Sequence, residues 1–302
     1  MNAIEIDHLT KRYGETTAVD ALSLSVPEGA FFSLLGVNGA GKTTTVKMLC
    51  CLTKPDSGDA RLLGESIVSA PEKVRTITNL SPQETAVADH LTVEENLRFM
   101  AELYGATKAE AKRQTEEIAT ELSLTDVLGK RAAVLSGGYQ RRLSVAMALI
   151  SRPKILFLDE PTLGLDILAR RELWRLLRSL KGKVTVVLTT HYLEEAEALC
   201  SRVAMLKRGQ IVTLARMDEL LKSASSTVLQ FKTDDALPAE LHGRARVTGR
   251  IVQIPAQDAS DVELLLATLR QGGVRPQEVE IRRADLEDVF IHVMQQQKEN
   301  VQ

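Results

Sequence analysis

The residues from Gly36 to Thr43, read as Gly36-Val37-Asn38-Gly39-Ala40-Gly41-Lys42-Thr43, satisfy the pattern G-x-x-x-x-G-K-[ST]. Glycines let backbone N–H groups point inward around phosphate oxygens with no Cβ in the way. A helix beginning at the end of such a turn adds its unpaired N–H groups to the same anion. Lys42 brings a full positive charge to the outer phosphates, and Thr43 a hydroxyl suited to Mg²⁺. A second chemical pair closes the apolar run Ile155-Leu156-Phe157-Leu158 with the carboxylates Asp159 and Glu160. An acid at the carboxyl end of a parallel strand lies where open α/β sheets bind ligands. There Asp159 is suited to a Mg²⁺ shell, and Glu160, facing differently, to polarising a water toward a terminal phosphate.

Leu135-Ser136-Gly137-Gly138 is a second glycine-rich start to a helical stretch, carried by Leu143, Met147 and Ile150. It has no partner lysine and follows no strand, so it is not a complete phosphate loop. Two readings stay open: a plain helix start capped by Ser136, or an anion site that closes over a phosphate held by a second subunit.

The elements that must position these residues follow from the pattern. Ala3–Leu9 and Leu22–Val26 alternate as strands do, the second ending at the turn signal Pro27-Glu28-Gly29. Phe31–Leu35 is continuously apolar, as a strand covered on both faces should be, and runs straight into Gly36. Lys42–Leu52 has helical spacing, with Val46, Leu49 and Cys50 on one face. Thr92–Tyr104 and Lys108–Leu122 read as amphipathic helices, the first with Thr92 and Glu95 in a capping-box relation and a stripe of Val93, Leu97, Met100 and Tyr104. The middle stretch, about residues 85–152, reads as a helical insertion with no strand before Ile155. Strands are expected at Ile155–Leu158, Val184–Thr189 and Val203–Leu206, with helices at Ile167–Leu180 and Leu193–Cys200 between them, which argues for a mainly parallel sheet covered on both faces. The polar joint after Lys222 separates a domain spanning 1–219 from a small α+β module spanning 220–302. That module is expected to hold strands at Val228–Lys232, Arg246–Thr248, Ile251–Ile254 and Val279–Arg283, a helix at Val262–Arg270, a last helix from Leu286 and a frayed tail at Gln295–Gln302.

Composition narrows the field. Of 302 residues, 38 are Lys or Arg and 40 Asp or Glu, a net charge of −2 that excludes a broadly basic nucleic-acid coat. With 44% hydrophobic and 26% charged residues the chain reads as an ordinary globular protein. Three cysteines, Cys50, Cys51 and Cys200, give neither a disulfide framework nor a metal-site spacing. No apolar run approaches the ~20 residues of a membrane-spanning helix, and the N-terminus does not read as a signal peptide. Any membrane crossing is therefore expected in another chain.

Taken in order, these segments resemble the ATP-binding subunit of an ABC transporter. The Gly36–Thr43 loop is similar to its Walker A motif. Leu135-Ser136-Gly137-Gly138-Tyr139-Gln140 resembles its signature, and Ile155–Glu160 its Walker B strand and following glutamate. Leu163-Gly164-Leu165-Asp166 resembles the D-loop, Thr189-Thr190-His191 the switch-histidine loop, Ser81-Pro82-Gln83 the Q-loop, and Tyr13 the adenine-stacking aromatic. The match covers roughly residues 3–218. Val37, where proline is common, and Tyr139, where glutamine is common, depart from the pattern at positions that contribute no phosphate-binding side chain.

The resemblance implies a P-loop NTPase fold with a mainly parallel core sheet, an N-terminal antiparallel β part, the helical insertion and the C-terminal module. It implies ATP bound by Tyr13, Gly36, Val37, Asn38, Gly39, Ala40, Gly41, Lys42, Thr43, Thr44, Ser136, Gly137, Gly138 and Asp166, and Mg²⁺ held by Thr43, Gln83 and Asp159. Hydrolysis would fall to Glu160, His191 and Gln83, with His191 on the terminal phosphate and Asp166 bridging to the partner. It further implies a head-to-tail pair, expected as a homodimer, and separate integral-membrane permease subunits. The chain would then sit peripherally on the cytoplasmic face of the membrane. Leu91–Leu97 and Asp285–Phe290 are similar to the ABC-2-type exporter branch, which handles drugs, antibiotics and polysaccharides. The competing function is a non-transport ATPase of the same family acting on ribosomes or DNA. A single ATPase domain and the lack of sustained heptads weigh against it, and no nucleic-acid partner is expected. The C-terminal module could brace the dimer, regulate it as a small-ligand sensor, or be a passive extension.

Overall fold

The segments read as strands and helices above form an α/β unit and a smaller α+β unit; a computed structural model of the chain describes residues 1–223, 227–283 and 285–290. β1 (Asn2–Tyr13) and β2 (Thr16–Pro27) form an antiparallel hairpin, and β3 (Phe31–Leu35) leads into α1 (Lys42–Leu49). β4 (Ser57–Leu62) and β5 (Glu65–Ser66) rejoin the hairpin in a sheet of order β2-β1-β4-β5. α2 (Pro71–Ile77) and β6 (Thr78–Ser81) follow, and then three helices: α3 (Val93–Leu103), α4 (Lys108–Glu121) and α5 (Gly137–Leu149). The chain continues through β7 (Ile155–Asp159), α6 (Ile167–Arg178), β8 (Thr185–Thr190), α7 (Leu193–Leu199), β9 (Arg202–Lys207), β10 (Gln210–Arg216) and α8 (Met217–Ser223).

The core sheet has the order β10-β9-β3-β8-β7-β6, and the β9–β3, β3–β8, β8–β7 and β7–β6 pairs are parallel. Alternate residues of its strands face opposite cores, as strand pleating requires. Phe31, Leu156, Leu158, Val186 and Leu188 pack with α3–α7. Phe32, Leu34, Ile155, Phe157 and Val187 pack with α1 and the antiparallel sheet. Burial on both faces is why these strands are apolar without interruption.

The expected helices are present, and Thr92 and Glu95 form the reciprocal capping box at the start of α3. Tyr104 departs from the expected stripe: it is the C-cap of α3 and 47% exposed. Leu52 likewise lies beyond the end of α1 and is exposed. β4, β5, β6 and β10 were not expected from the sequence. β4 (Ser57–Leu62) carries Gly58 and Asp59, poor strand formers, and is held by its register with β1, Ile4 opposite Leu62 and Ile6 opposite Ala60.

Two compact units divide between Leu214 and Ala215. In the second, β11 (Thr227–Lys232), β12 (Arg246–Thr248), β13 (Ile251–Ala256) and β14 (Gln277–Arg282) form an antiparallel sheet of order β12-β13-β11-β14. Leu229, Phe231, Val252 and Ile254 on one of its faces pack with Val262, Leu265 and Leu269 of α9 (Ala259–Gln271). The expected last helix is described from Leu286 to Phe290; its continuation and the tail at 295–302 lie outside the described residues.

Candidate active site

Parallel register assembles the site. Leu34 of β3 and Asp159 of β7 both lie opposite Thr189 of the intervening β8, and Leu35 lies opposite Thr190. The next residue of each strand is then Gly36, Glu160 and, after Thr190, His191. Three segments, one of them more than a hundred residues before the other two in sequence, therefore end side by side at the carboxyl edge of the sheet, where α/β folds bind ligands.

The loop after β3 is tightly cradled. A Cβ on Gly36 would lie 2.6 Å from the Leu206 carbonyl oxygen, and one on Gly41, at φ 102°, would lie 2.3 Å from that of Ala18. Only glycine fits at either place. Gly209 N–H donates to the Ala40 carbonyl at 3.1 Å, tying the loop to the β9–β10 turn. No side chain caps α1 and no acid stands in its first turn, so its leading N–H groups and positive end remain available to an anion. Val37, Asn38 and Gly39 are exposed at the loop's crest, and Thr44 is half-buried in the first turn of α1.

Lys42 is buried, with Nζ donating to the carbonyls of Gly36 at 2.8 Å and Val37 at 3.3 Å and lying 3.4 Å from Glu160 Oε1. Thr43 Oγ1 donates to Asp159 Oδ1 at 3.1 Å, and the Thr189 hydroxyl donates to the same oxygen. Glu160 is buried too, its N–H shared between the carbonyl and hydroxyl of Thr189, both at 3.1 Å. His191 Nδ1 lies 2.6 Å from Glu160 Oε2 but is not aligned as a hydrogen bond. Glu160 takes a φ of 47°, left-handed for a non-glycine residue, at a cost of about 1–3 kcal/mol that the surroundings must offset. The following Pro161 also disfavours the right-handed region for it.

Among the described residues no three His, Cys, Asp or Glu side chains are grouped to hold a metal by themselves. The Thr43–Asp159 pair instead fits Mg²⁺, which needs only one or two carboxylates from the protein and fills the rest of its octahedron with other oxygens, including water and substrate phosphates.

Other expected residues lie around this centre. Gln83 is exposed after β6, and Tyr13 is 50% exposed at the hairpin end, with Lys11 Nζ 5.6 Å from its ring centroid. Ser136 is the N-cap of α5, yet its hydroxyl makes no cap bond, unlike a plain helix cap. Ser136 and Gly137 are exposed, and a Cβ on Gly138 would stand 2.9 Å from that of Ala169 in α6. The second glycine turn and the start of α6 are thus neighbours. Asp166 caps α6, its Oδ1 accepting from Leu168 N and Ala169 N. Tyr139 turns from the glycine turn and donates to Asp126 at 2.8 Å.

Two contributors had no role assigned from sequence. Thr189 bridges Asp159 and Glu160, and its place two residues before His191 was the available signal. Arg141 is buried within α5, on the stripe of Ser144, Val145 and Ala148, where a charge at apolar spacing was equally visible.

Comparisons with known proteins give the family and the fold. Residues 19–163 match the family model described as ABC transporter. The chain is 40% identical to the daunorubicin/doxorubicin resistance ATP-binding protein DrrA of Streptomyces peucetius, over 78% of this chain and 71% of that protein. It is 36% identical to the Nod factor export ATP-binding protein I of Ralstonia nicotianae, over 96% and 93%. Among solved structures, the ATP-binding subunit of an ABC transporter matches with 30% identity and a TM-score of 0.65, covering 72% of this chain and 91% of that one. A dimeric ATP-binding cassette in a post-hydrolysis state, bound to ADP and Pi, matches with 26% identity and a TM-score of 0.64, covering 70% and 98%.

Proposed function

The chain belongs to the ABC transporter family as an ATP-hydrolysing subunit, and we propose that two copies pair head to tail around two ATP molecules to drive export through a separate membrane-embedded permease. The observation that carries this reading is the second glycine turn. It is exposed, its Ser136 hydroxyl is uncommitted, and it lacks the lysine and carboxylates of a complete site, so it completes the site of another copy. Apolar residues around it support such a seam: Val134, Ile167 and Leu168 are 71%, 68% and 78% exposed.

In this reading Lys42 and the leading N–H groups of α1 hold the β- and γ-phosphates, with Ser136–Gly138 of the second copy on the far side of the γ-phosphate. Thr43, Asp159 and Gln83 hold Mg²⁺, which when bound neutralises charge developing on the phosphate oxygens. Glu160 polarises the attacking water, Thr189 fixes its backbone N–H and Lys42 stands 3.4 Å from its carboxylate, and His191 holds the γ-phosphate in line. Tyr13 stacks on the base. Catalysis is then positioning and electrostatics, with little covalent work for the protein.

Among the described residues no helix is long and apolar enough to cross a membrane. Phe99 and Leu103, 59% and 66% exposed on α3, give an apolar face for a permease segment, which would hold the chain at the cytoplasmic face of the membrane. The names of the relatives, drug resistance and Nod factor export, favour outward transport of an organic molecule. Affinity purification of the tagged Glu160→Gln chain from detergent-extracted membranes tests this. Recovery of a polytopic membrane chain is expected. Recovery only with ribosomes or DNA would favour a non-transport ATPase.

A further inference from the structure

Arg141 is buried in the second turn of α5, and its guanidinium hydrogen bonds all go to backbone carbonyls. Nε donates to the carbonyl of Pro161 at 2.7 Å, one terminal nitrogen to that of Asp159 at 2.8 Å, and the other to those of Pro82 at 2.6 Å and Gln83 at 3.1 Å. These carbonyls are not scattered. Asp159 and Pro161 flank Glu160 on either side, and Pro82 and Gln83 form the loop that carries the Gln83 side chain.

We propose that Arg141 is a positioning residue for hydrolysis: its guanidinium fork clamps the backbone on both sides of Glu160, holds that residue in its left-handed conformation, and fixes the Gln83 loop at a set distance from it. The proposal rests on the reading of Glu160 as the residue that polarises water.

The chemistry of the side chain suits the task. A planar fork with five N–H donors reaches carbonyls in several directions at once, whereas a lysine ammonium is a single point on a flexible stem. The clamp also accounts for the left-handed φ of 47° at Glu160, since a residue in that region persists only where its neighbours over-determine it. Burial lowers the Arg141 pKa to about 10, partly opposed by Glu195, Asp159 and Glu160, so the fork stays charged at neutral pH. No carboxylate is paired with it directly by hydrogen bond; a buried cation is held instead by peptide carbonyls that must stay in place to keep it satisfied. The same helix begins at Ser136–Gly138, so the clamp joins the second glycine turn to the carboxylates of its own chain through one side chain.

The test is steady-state hydrolysis and equilibrium ATP binding by the purified full chain carrying Arg141→Lys, with Arg141→Gln beside it, at a temperature below the melting point of each. A positioning role predicts that kcat falls about 100-fold, the order of loss for a misplaced catalytic group, while KM and ATP affinity stay within about twofold of wild type. It also predicts that Arg141→Lys adds no further loss in the Glu160→Gln background, because both changes disable the same step. Wild-type kcat in either folded variant would overturn the proposal. So would a fall in ATP affinity matching the fall in kcat, an additive loss in the double variant, or failure of both variants to fold, which would make Arg141 a folding residue. Glu160→Gln alone separates the two readings. If it hydrolyses ATP normally, the role of Glu160 fails. If it is inactive while the Arg141 variants are not, only the clamp fails.

Discussion

At the scale of single residues, the site is decided by backbone space and by burial. Gly41 combines a φ of 102° with a would-be Cβ 2.3 Å from the Ala18 carbonyl oxygen. Gly41→Ala is therefore expected to abolish ATP binding, measured by titration calorimetry, and to lower stability by at least about 1–3 kcal/mol from the forced φ alone. Glu195 of α7 gives a pH-dependent counterpart. It is fully buried, with Oε1 accepting from Trp174 Nε1 at 3.2 Å and Oε2 without a hydrogen-bond partner. Burial pushes its carboxyl above the usual range, against the pull of nearby Thr190, Thr162 and Arg170. Because the folded pKa is raised, the stability linked to its protonated form is full below the unfolded value of about 4.3 and is lost as pH rises through the folded value. Glu195→Gln stays neutral throughout, so its melting temperature should exceed that of wild type by more at pH 8 than at pH 5. Equal differences at the two pH values would contradict this origin of the shift. The loop glycines, Lys42, Asp159 and Glu160 were legible because their types and spacing leave few alternatives. Arg141 and Glu195 were not assigned roles, because what each does depends on carbonyls and hydroxyls brought to it from other segments.

At the scale of elements, legibility followed burial. β3, β7 and β8 are covered on both faces and carry unbroken apolar runs, so the strands that deliver the site could be read directly. The short polar β6 (Thr78–Ser81) could not, because its strand geometry comes from pairing with β7, Thr78 opposite Ile155 through Ser81 opposite Leu158. Yet β6 leads through Pro82 into Gln83, so the loop proposed to reach the metal and the attacking water hangs from a strand that local pattern does not announce. The capping box of α3 lies at the opposite extreme, since Thr92 and Glu95 can be read from four residues. Thr92→Ala should cost about 1 kcal/mol, seen as a lower urea midpoint at unchanged m, with ATP affinity preserved. A loss of ATP affinity would mean that α3 is coupled to the phosphate loop more tightly than its cap implies.

At the scale of the molecule, the residues of the nucleotide site all fall in the unit ending at Leu214, and the following unit has its own core around Leu229, Phe231 and Leu265. A chain ending at residue 219 should bind ATP within about twofold of the full chain, because no side chain assigned to the site is removed. Under the proposed head-to-tail pairing one chain is incomplete, because its lysine loop and its glycine turn serve different γ-phosphates. The measurement that reaches this most directly is the mass of the Glu160→Gln chain by light scattering with and without Mg²⁺-ATP, together with its bound nucleotide. We expect a stable pair of protomers holding two ATP molecules, formed only with nucleotide, and hydrolysis reduced by at least about 100-fold. A particle that binds ATP yet stays a single protomer, or one that turns ATP over at the wild-type rate, would contradict the account.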